Sequence, residues 1–365
     1  MDPQHPKFSN LTLIHPRGEA KKMGGIEYLL DLNQKHSAEF QRSTLERRRY
    51  RAIHPTEIGF MKCMDGRLHG PVMTRTTLGI IQPFRNIGGR FDLGWFGFAH
   101  LIKEWVDYAV TKGRNCLVFT TYHYSRSNPH RGCAGFNYDT EAAIASSLKL
   151  RQQFERVFRR DGVFPIQCGI ETDLDALVLH GENGEIIDLS EITNPSPEVV
   201  SATLERLYPY IPSRVLGDIA PLVMGNISHI ESIRRSKRPL EYTEHREWVI
   251  GVGRGFDWLH EPNTALIIGP FDPDRRNAIK TAALVIKKNI EDGKVGNKDV
   301  VLITSAPYRD PVGPDAPLAV EKAVELQEAA TEVIYNEVPD LIPHIKHLTT
   351  TVDMNTRALN VIDRK

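Results

Sequence analysis

The chain reads as an α/β protein: a mostly parallel sheet flanked by helices, followed by a second α/β unit of similar rhythm. Three observations predict this class. Short apolar runs bounded by glycine, proline and polar residues alternate with amphipathic segments of helical length through most of the 365 residues. One run, Asn115-Cys-Leu-Val-Phe-Thr-Thr-Tyr-His123, is apolar, β-branched or aromatic nearly throughout, as a strand buried on both faces of a parallel sheet must be. The rhythm then resumes beyond residue 240 without a cysteine, since Cys63, Cys116, Cys133 and Cys168 all lie in the first half.

Composition narrows the function. Lys plus Arg and Asp plus Glu balance at 46 each, so no net field draws the protein to nucleic acid or to an anionic membrane, and neither is expected as a partner. No stretch approaches the length of a membrane span, and Met1-Asp-Pro-Gln-His-Pro has neither a basic nor an apolar leader segment, so a soluble, cytoplasmic protein is expected. Four cysteines are too sparse for a disulfide framework and suit a reducing interior with thiol or metal chemistry.

Taken in order, residues 1–20 show no periodicity and read as a poorly ordered tail. Between 25 and 51, Ile26, Leu29, Leu30, Leu32, Phe40 and Leu45 recur at helical spacing and predict one or two helices capping the domain that follows. The basic run Glu46-Arg-Arg-Arg-Tyr-Arg51 is read as a solvated helix face, with contact to an anionic partner as the alternative. Glu57-Ile-Gly-Phe-Met-Lys-Cys63 is a short buried strand that closes on Met64-Asp65-Gly-Arg67. Leu78-Gly-Ile-Ile-Gln-Pro-Phe-Arg85-Asn86-Ile-Gly88-Gly89 is a second, whose double glycine lets backbone approach a neighbour closely. Over 95–112, Phe98, Leu101, Ile102, Trp105, Val106 and Ala109 form the apolar stripe of a helix that stops at Gly113. The strand ending at His123 leads through an irregular stretch holding His130 and Cys133 to a helix begun at Asp139 or Thr140 and running to Arg160. Strands are expected over 163–170 and 175–180, and 181–240 reads as a bridge with one helix at 199–207. Beyond it come strands at 248–253, 265–269 and 300–304 and helices at 276–289 and 320–336. The expected domains are 1–54, 55–240 and 241–365.

The chemistry gathers at strand ends, where open α/β sheets place their sites. Two thiolates and one imidazole make a catalytic zinc set that leaves a fourth position open. Zinc lowers the pKa of a bound water from about 15.7 to about 7, which supplies a nucleophile near neutral pH. Cys63 and Cys133 with His123 or His130 make that set. His130-Arg-Gly-Cys133 has ligand spacing, but His123 is preferred because it ends a strand. Asp65 is either a fourth ligand or a hydrogen-bond acceptor held off the metal by Arg67; a salt bridge bracing the strand end is the bland reading of the pair. Gly251-Val-Gly253-Arg-Gly255 lacks the glycine spacing and the Lys-Ser/Thr of a nucleotide loop, which argues against a nucleotide-binding regulator.

Cys63-Met-Asp65-Gly-Arg67, Arg85-Asn86-Ile-Gly88, the strand-borne His123 and Gly132-Cys133-Ala together resemble the motifs of the β-class carbonic anhydrases. The wide separation of His123 from Cys133, with Glu171-Thr-Asp-Leu-Asp-Ala176 and Glu244-His245-Arg-Glu-Trp-Val-Ile-Gly-Val-Gly253, is similar to the divergent carboxysomal shell enzymes of that class. The resemblance implies their fold, with a zinc-bearing domain followed by a degenerate copy without metal. It implies reversible hydration of carbon dioxide to bicarbonate by zinc hydroxide, with Asp65 and Arg67 beside the metal and His245 as a proton acceptor or, alternatively, a surface histidine. It also implies a homodimer or higher homo-oligomer and carboxysome components as partners. Family members carry a long N-terminal tethering region, whereas the region before Glu57 here is short. A catalytically inactive zinc-containing scaffold is the alternative, although such a site needs neither Asp65 nor Arg67.

Overall fold

The computed structural model describes residues 24–295 and 299–365, so the expected N-terminal tail lies outside the described residues. In chain order the elements are α1 (Gly25–Arg42), α2 (Thr44–Ile53), β1 (Glu57–Cys63), α3 (Gly70–Met73), β2 (Ile81–Asn86), α4 (Phe96–Thr111), β3 (Cys116–Tyr124), α5 (Thr140–Phe158), β4 (Val163–Glu171), β5 (Ala176–His180) and β6 (Ile186–Asp188). They continue as α6 (Pro197–Leu207), α7 (Ser213–Ser236), β7 (Val249–Gly253), β8 (Ala265–Ile268), α8 (Arg275–Glu291), β9 (Val300–Tyr308), α9 (Asp315–Glu337), β10 (Ile345–Asp353) and β11 (Leu359–Arg364).

Two sheets form. The first has strand order β2-β1-β3-β4-β5-β6 and the second β11-β10-β9-β7-β8. In the first, β2, β1, β3 and β4 are parallel and β5 turns back antiparallel. In the second, β8, β7, β9 and β10 are parallel and β11 turns back. Order and direction therefore repeat, β7 to β11 matching β1 to β5 one for one.

Side chains alternate across each strand, and the burial follows. In β3, Leu117 and Phe119 join the core shared with α6 and α7, whereas Cys116 and Val118 face α4 and α5. In β9, Val300 and Leu302 join α8 and α9, while Val301 and Ile303 pack beneath α1. One apolar core runs from Ile58 and Phe60 of the first sheet to Ile250 and Leu266 of the second. The halves also interlock by backbone. Ile267 donates to the Met64 carbonyl at 3.0 Å, Asn263 to that of Gly66 at 2.9 Å and Gly269 to that of Arg85 at 2.9 Å. Strand β8 thus lies across the carboxyl ends of β1 and β2. Gly66 is required there, because a Cβ would stand 2.7 Å from the Ala265 carbonyl oxygen and 2.8 Å from Glu247 Cγ.

Two expectations need correction. Helix α1 does not cap the first sheet; Ile26, Leu29 and Leu32 bury against Trp248, Val249 and Val301 of the second, and Asn33 accepts from the Leu359 amide at 2.9 Å. Only α2 reaches the first sheet, through Arg51 to Glu57 at 3.6 Å. The stretch 181–240 is no mere bridge: α7 buries Ile219, Leu222, Ile227 and Ile230, and its Asn226 side chain accepts from the Leu177 amide and donates to the carbonyls of Met73 and Asp175. No helix among the described residues is long and apolar enough to cross a membrane.

Candidate metal centre

Cys63 is the last residue of β1 and pairs with Asn86 of β2, so the β1 ladder carries its sulfur to the sheet's carboxyl edge. His123 reaches the same edge one residue before β3 ends. The chain reverses after β2 through Gly88 and Gly89, at φ of 63° and 64°; a Cβ on Gly89 would press on the Thr121 carbonyl oxygen and the Cys63 amide nitrogen at 3.1 and 3.3 Å. Cys133 arrives on a loop rather than a strand. Its loop is pinned by Asp173, which accepts from Ser125 Oγ at 2.9 Å and the Ser127 amide at 2.8 Å, and Glu171 in turn accepts from the Asp173 and Leu174 amides. The Glu171-Thr-Asp stretch thus braces the Cys133 loop.

One donor atom each from Cys63, His123 and Cys133 lies within 4.8 Å of the others, and the two sulfurs are 3.9 Å apart. All three side chains are at most 5% exposed. Both ring nitrogens of His123 are buried without a hydrogen-bond partner among the described residues. An orphaned buried imidazole is costly unless something else satisfies it, so the donor set fits a metal ion. The hydrogen bond from Cys133 holds the Cys63 thiol well below its ordinary value against the effect of burial, while the same contact and burial push Cys133 up. His130 stays outside: it is exposed and sits edge-on to Tyr138 with ring centroids 5.2 Å apart.

Asp65 stands beside the cluster, its Oδ2 3.8 Å from His123 Nε2. Arg67 grips it with Nε to Oδ1 at 3.0 Å and Nη2 to Oδ2 at 2.5 Å, and the Arg67 amide adds a bond to Oδ1 at 2.9 Å. Arg67 Nη1 also donates to the carbonyls of Arg131, on the Cys133 loop, at 2.8 Å and of Thr243, in the second half, at 2.5 Å. Burial alone would raise the Asp65 carboxyl, but Arg67 first, then His245, hold it well below the usual carboxylate range. These contacts fix the orientation of the carboxylate and brace the strand end.

His245 is not a surface group. Its Nε2 is 3.1 Å from Arg67 Nη2 and 3.7 Å from Asp65 Oδ2, and its Nδ1 is 3.0 Å from Glu247 Oε2. Burial, then Arg67, push the imidazole down; Glu247 followed by Asp65 more than offset them and leave it above its ordinary value. Glu247, fully buried and also accepting from the Gly66 amide at 3.1 Å, was not singled out by sequence reasoning. The signal was its place two residues after His245 on extended chain entering β7, which puts both side chains on one face.

Residues 52–194 match the family model described as Carboxysome Shell Carbonic Anhydrase, catalytic domain. That span includes Cys63, Asp65, Arg67, His123 and Cys133 and ends short of His245. No curated protein matches the chain. Among solved structures, one described as the beta-carbonic anhydrase CcaA is similar at 13% identity and a TM-score of 0.34, over 45% of this chain and 98% of that one. The family pattern thus falls on the segment that holds the cluster, and residues 52–194 are similar to the catalytic domain of the carboxysome shell carbonic anhydrases.

Proposed function

We propose that the chain hydrates carbon dioxide reversibly to bicarbonate and a proton, with zinc held by Cys63, His123 and Cys133. The observation that carries this is the convergence of two thiols on an imidazole whose nitrogens have no hydrogen-bond partner among the described residues, beside a carboxylate fixed by a guanidinium. Zinc bound there supplies a Lewis acid that acidifies water to near neutral pKa. The residues do the rest. Asp65, kept ionised by Arg67, would accept a hydrogen bond from the attacking oxygen and so orient a lone pair of that oxygen toward the carbon; both carboxylate oxygens are engaged by Arg67, which favours this acceptor role over that of a fourth ligand. His245, between Asp65 and Glu247, takes the released proton outward. Burial of the cluster excludes bulk water and strengthens each of these interactions.

The division into a catalytic half, 55–240, and a completing half, 241–365, belongs to this proposal, as do self-association and residence in the cytoplasm or its carboxysomes. The family description supports carbon dioxide and bicarbonate as substrates and the carboxysome as a setting. The test is metal analysis joined to a hydration assay on Cys63→Ser and Cys133→Ser. Each is expected to lose zinc and at least about a thousandfold in activity together. Full activity in a zinc-free variant would remove zinc from the reading.

A further inference from the structure

The repeat carries a second strand-end cleft that the hydration chemistry does not use. Ile58 pairs with Ile81 and Leu117 in the first sheet, as Val249 pairs with Ala265 and Val301 in the second. Counting equal steps from these pairs, Arg254 falls where Cys63 falls and Pro307 where His123 falls. Beside them opens a cavity of about 40 Å³, walled on its other side by β2 up to Arg85. A water needs about 10–15 Å³ by this measure, so the space suits about three waters or one ion of four or five heavy atoms.

The wall is cationic. Arg85 is 7% exposed, and its Nη1 is buried with no hydrogen-bond partner among the described residues. Arg254 uses its amide on the Ser305 carbonyl at 2.9 Å and is one of the residues lining the cavity. Among the described residues the one acid on the wall, Asp257, is engaged by Arg357 at 2.7 Å. Behind Arg85 a second, smaller cavity is lined by Lys62, His69 and His260, with Asp257 again its only acid. Burial pushes the Arg85 guanidinium down to about 10, and Asp257 offsets only part of that effect. A buried guanidinium nitrogen without a hydrogen-bond partner is expensive, and two arginines lining one small cavity have the donor chemistry an oxyanion takes.

We propose that the cavity between Arg254 and Arg85 is an oxyanion site taking one small oxyanion, phosphate or bicarbonate, so that the place in the repeat that matches the thiol and imidazole cluster holds an anion instead. The test uses the purified full chain with its zinc content verified. Inorganic phosphate and bicarbonate are titrated in separate arms against chloride at equal ionic strength, with thermal unfolding as the readout and ³¹P line broadening as a direct measure for phosphate. A saturable rise of about 2–5 °C is expected with at least one anion, lost in Arg254→Ala with zinc content unchanged. Arg254→Lys, which keeps charge but cannot donate two parallel bonds, should bind at least about tenfold more weakly. Phosphate alone, or bicarbonate alone, identifies the source. The same rise in Arg254→Ala and wild type, or no saturable rise and no broadening in wild type, overturns the site.

Discussion

The two sheets share one strand order, yet among the described residues only the first gathers two thiols and an imidazole at its carboxyl edge. At the carboxyl edge of β1 and β3 stand Cys63 and His123; at the matching places after β7 and in β9 stand Arg254 and Pro307. The strand interiors are equally apolar and equally buried, from Leu117 and Val118 in one to Val301 and Leu302 in the other. The fold is written in the strand interiors and the chemistry in a few residues past their ends, so one can be lost while the other stays. The second half is still not idle. It supplies the Thr243 carbonyl to Arg67, Glu247 to Gly66 and His245, and β8 across the ends of β1 and β2.

The largest effect should come from separating the halves. A chain ending at Ile230 keeps every proposed ligand, but it loses β8, Thr243, His245 and Glu247 and exposes the core face now covered by Leu266, Ile268 and α8. Apolar burial is worth about 25 cal/mol per Å², so that face should drive aggregation. The fragment is expected to be insoluble or inactive. Soluble, zinc-loaded, fully active 1–230 protein would reduce the second half to a dispensable module.

A sharper probe is Asp65→Asn. The amide keeps size and some hydrogen bonding to Arg67 but cannot act as a charged acceptor, so zinc should stay while hydration falls about 10²–10³-fold. Near-normal activity would leave the pair as a brace alone. The smallest effect is a pH-dependent one at Glu247→Gln, the contact by which the second half reaches the proton path. His245 has a folded pKa above its ordinary 6.5. The stability it gains from Glu247 is therefore fully present below about 6.5 and lost as pH rises through the folded value. The destabilisation by Glu247→Gln should be larger at pH 6 than at pH 9, read as the difference in unfolding free energy from wild type. An equal cost at both pH values would show that Glu247 serves only the Gly66 amide.

Much of this was legible in the sequence, for definite reasons. Continuous apolar runs such as 116–123 announce buried parallel strands, and Cys63, Asp65 and Arg67 at alternate positions past such a run announce a strand-end site. The preference for His123 over His130 came from the same rule, and the structure puts His123 in the cluster and His130 in solvent. Helix α7 was hidden by Pro221 inside it, which reads as a breaker but is carried by the surrounding packing. Strand β10 was missed because Thr349, Thr350 and Thr351 look polar although they are buried in the sheet, and β11 because it is an exposed edge strand without a buried apolar face. The seat of α1 on the second sheet depends on contacts over 200 residues away, which no local periodicity encodes. Glu247 escaped notice because one carboxylate in a charged run is indistinguishable from a solvated one until its partner is known.

The most direct test of the central claim, that metal chemistry sits at the strand ends of the first half alone, is zinc K-edge absorption on the purified full chain with the metal counted. The expected result is one zinc per chain with two sulfur neighbours at about 2.3 Å, one imidazole nitrogen at about 2.0–2.1 Å and a light atom in the remaining position. Two zincs per chain, or a shell without sulfur, would contradict it.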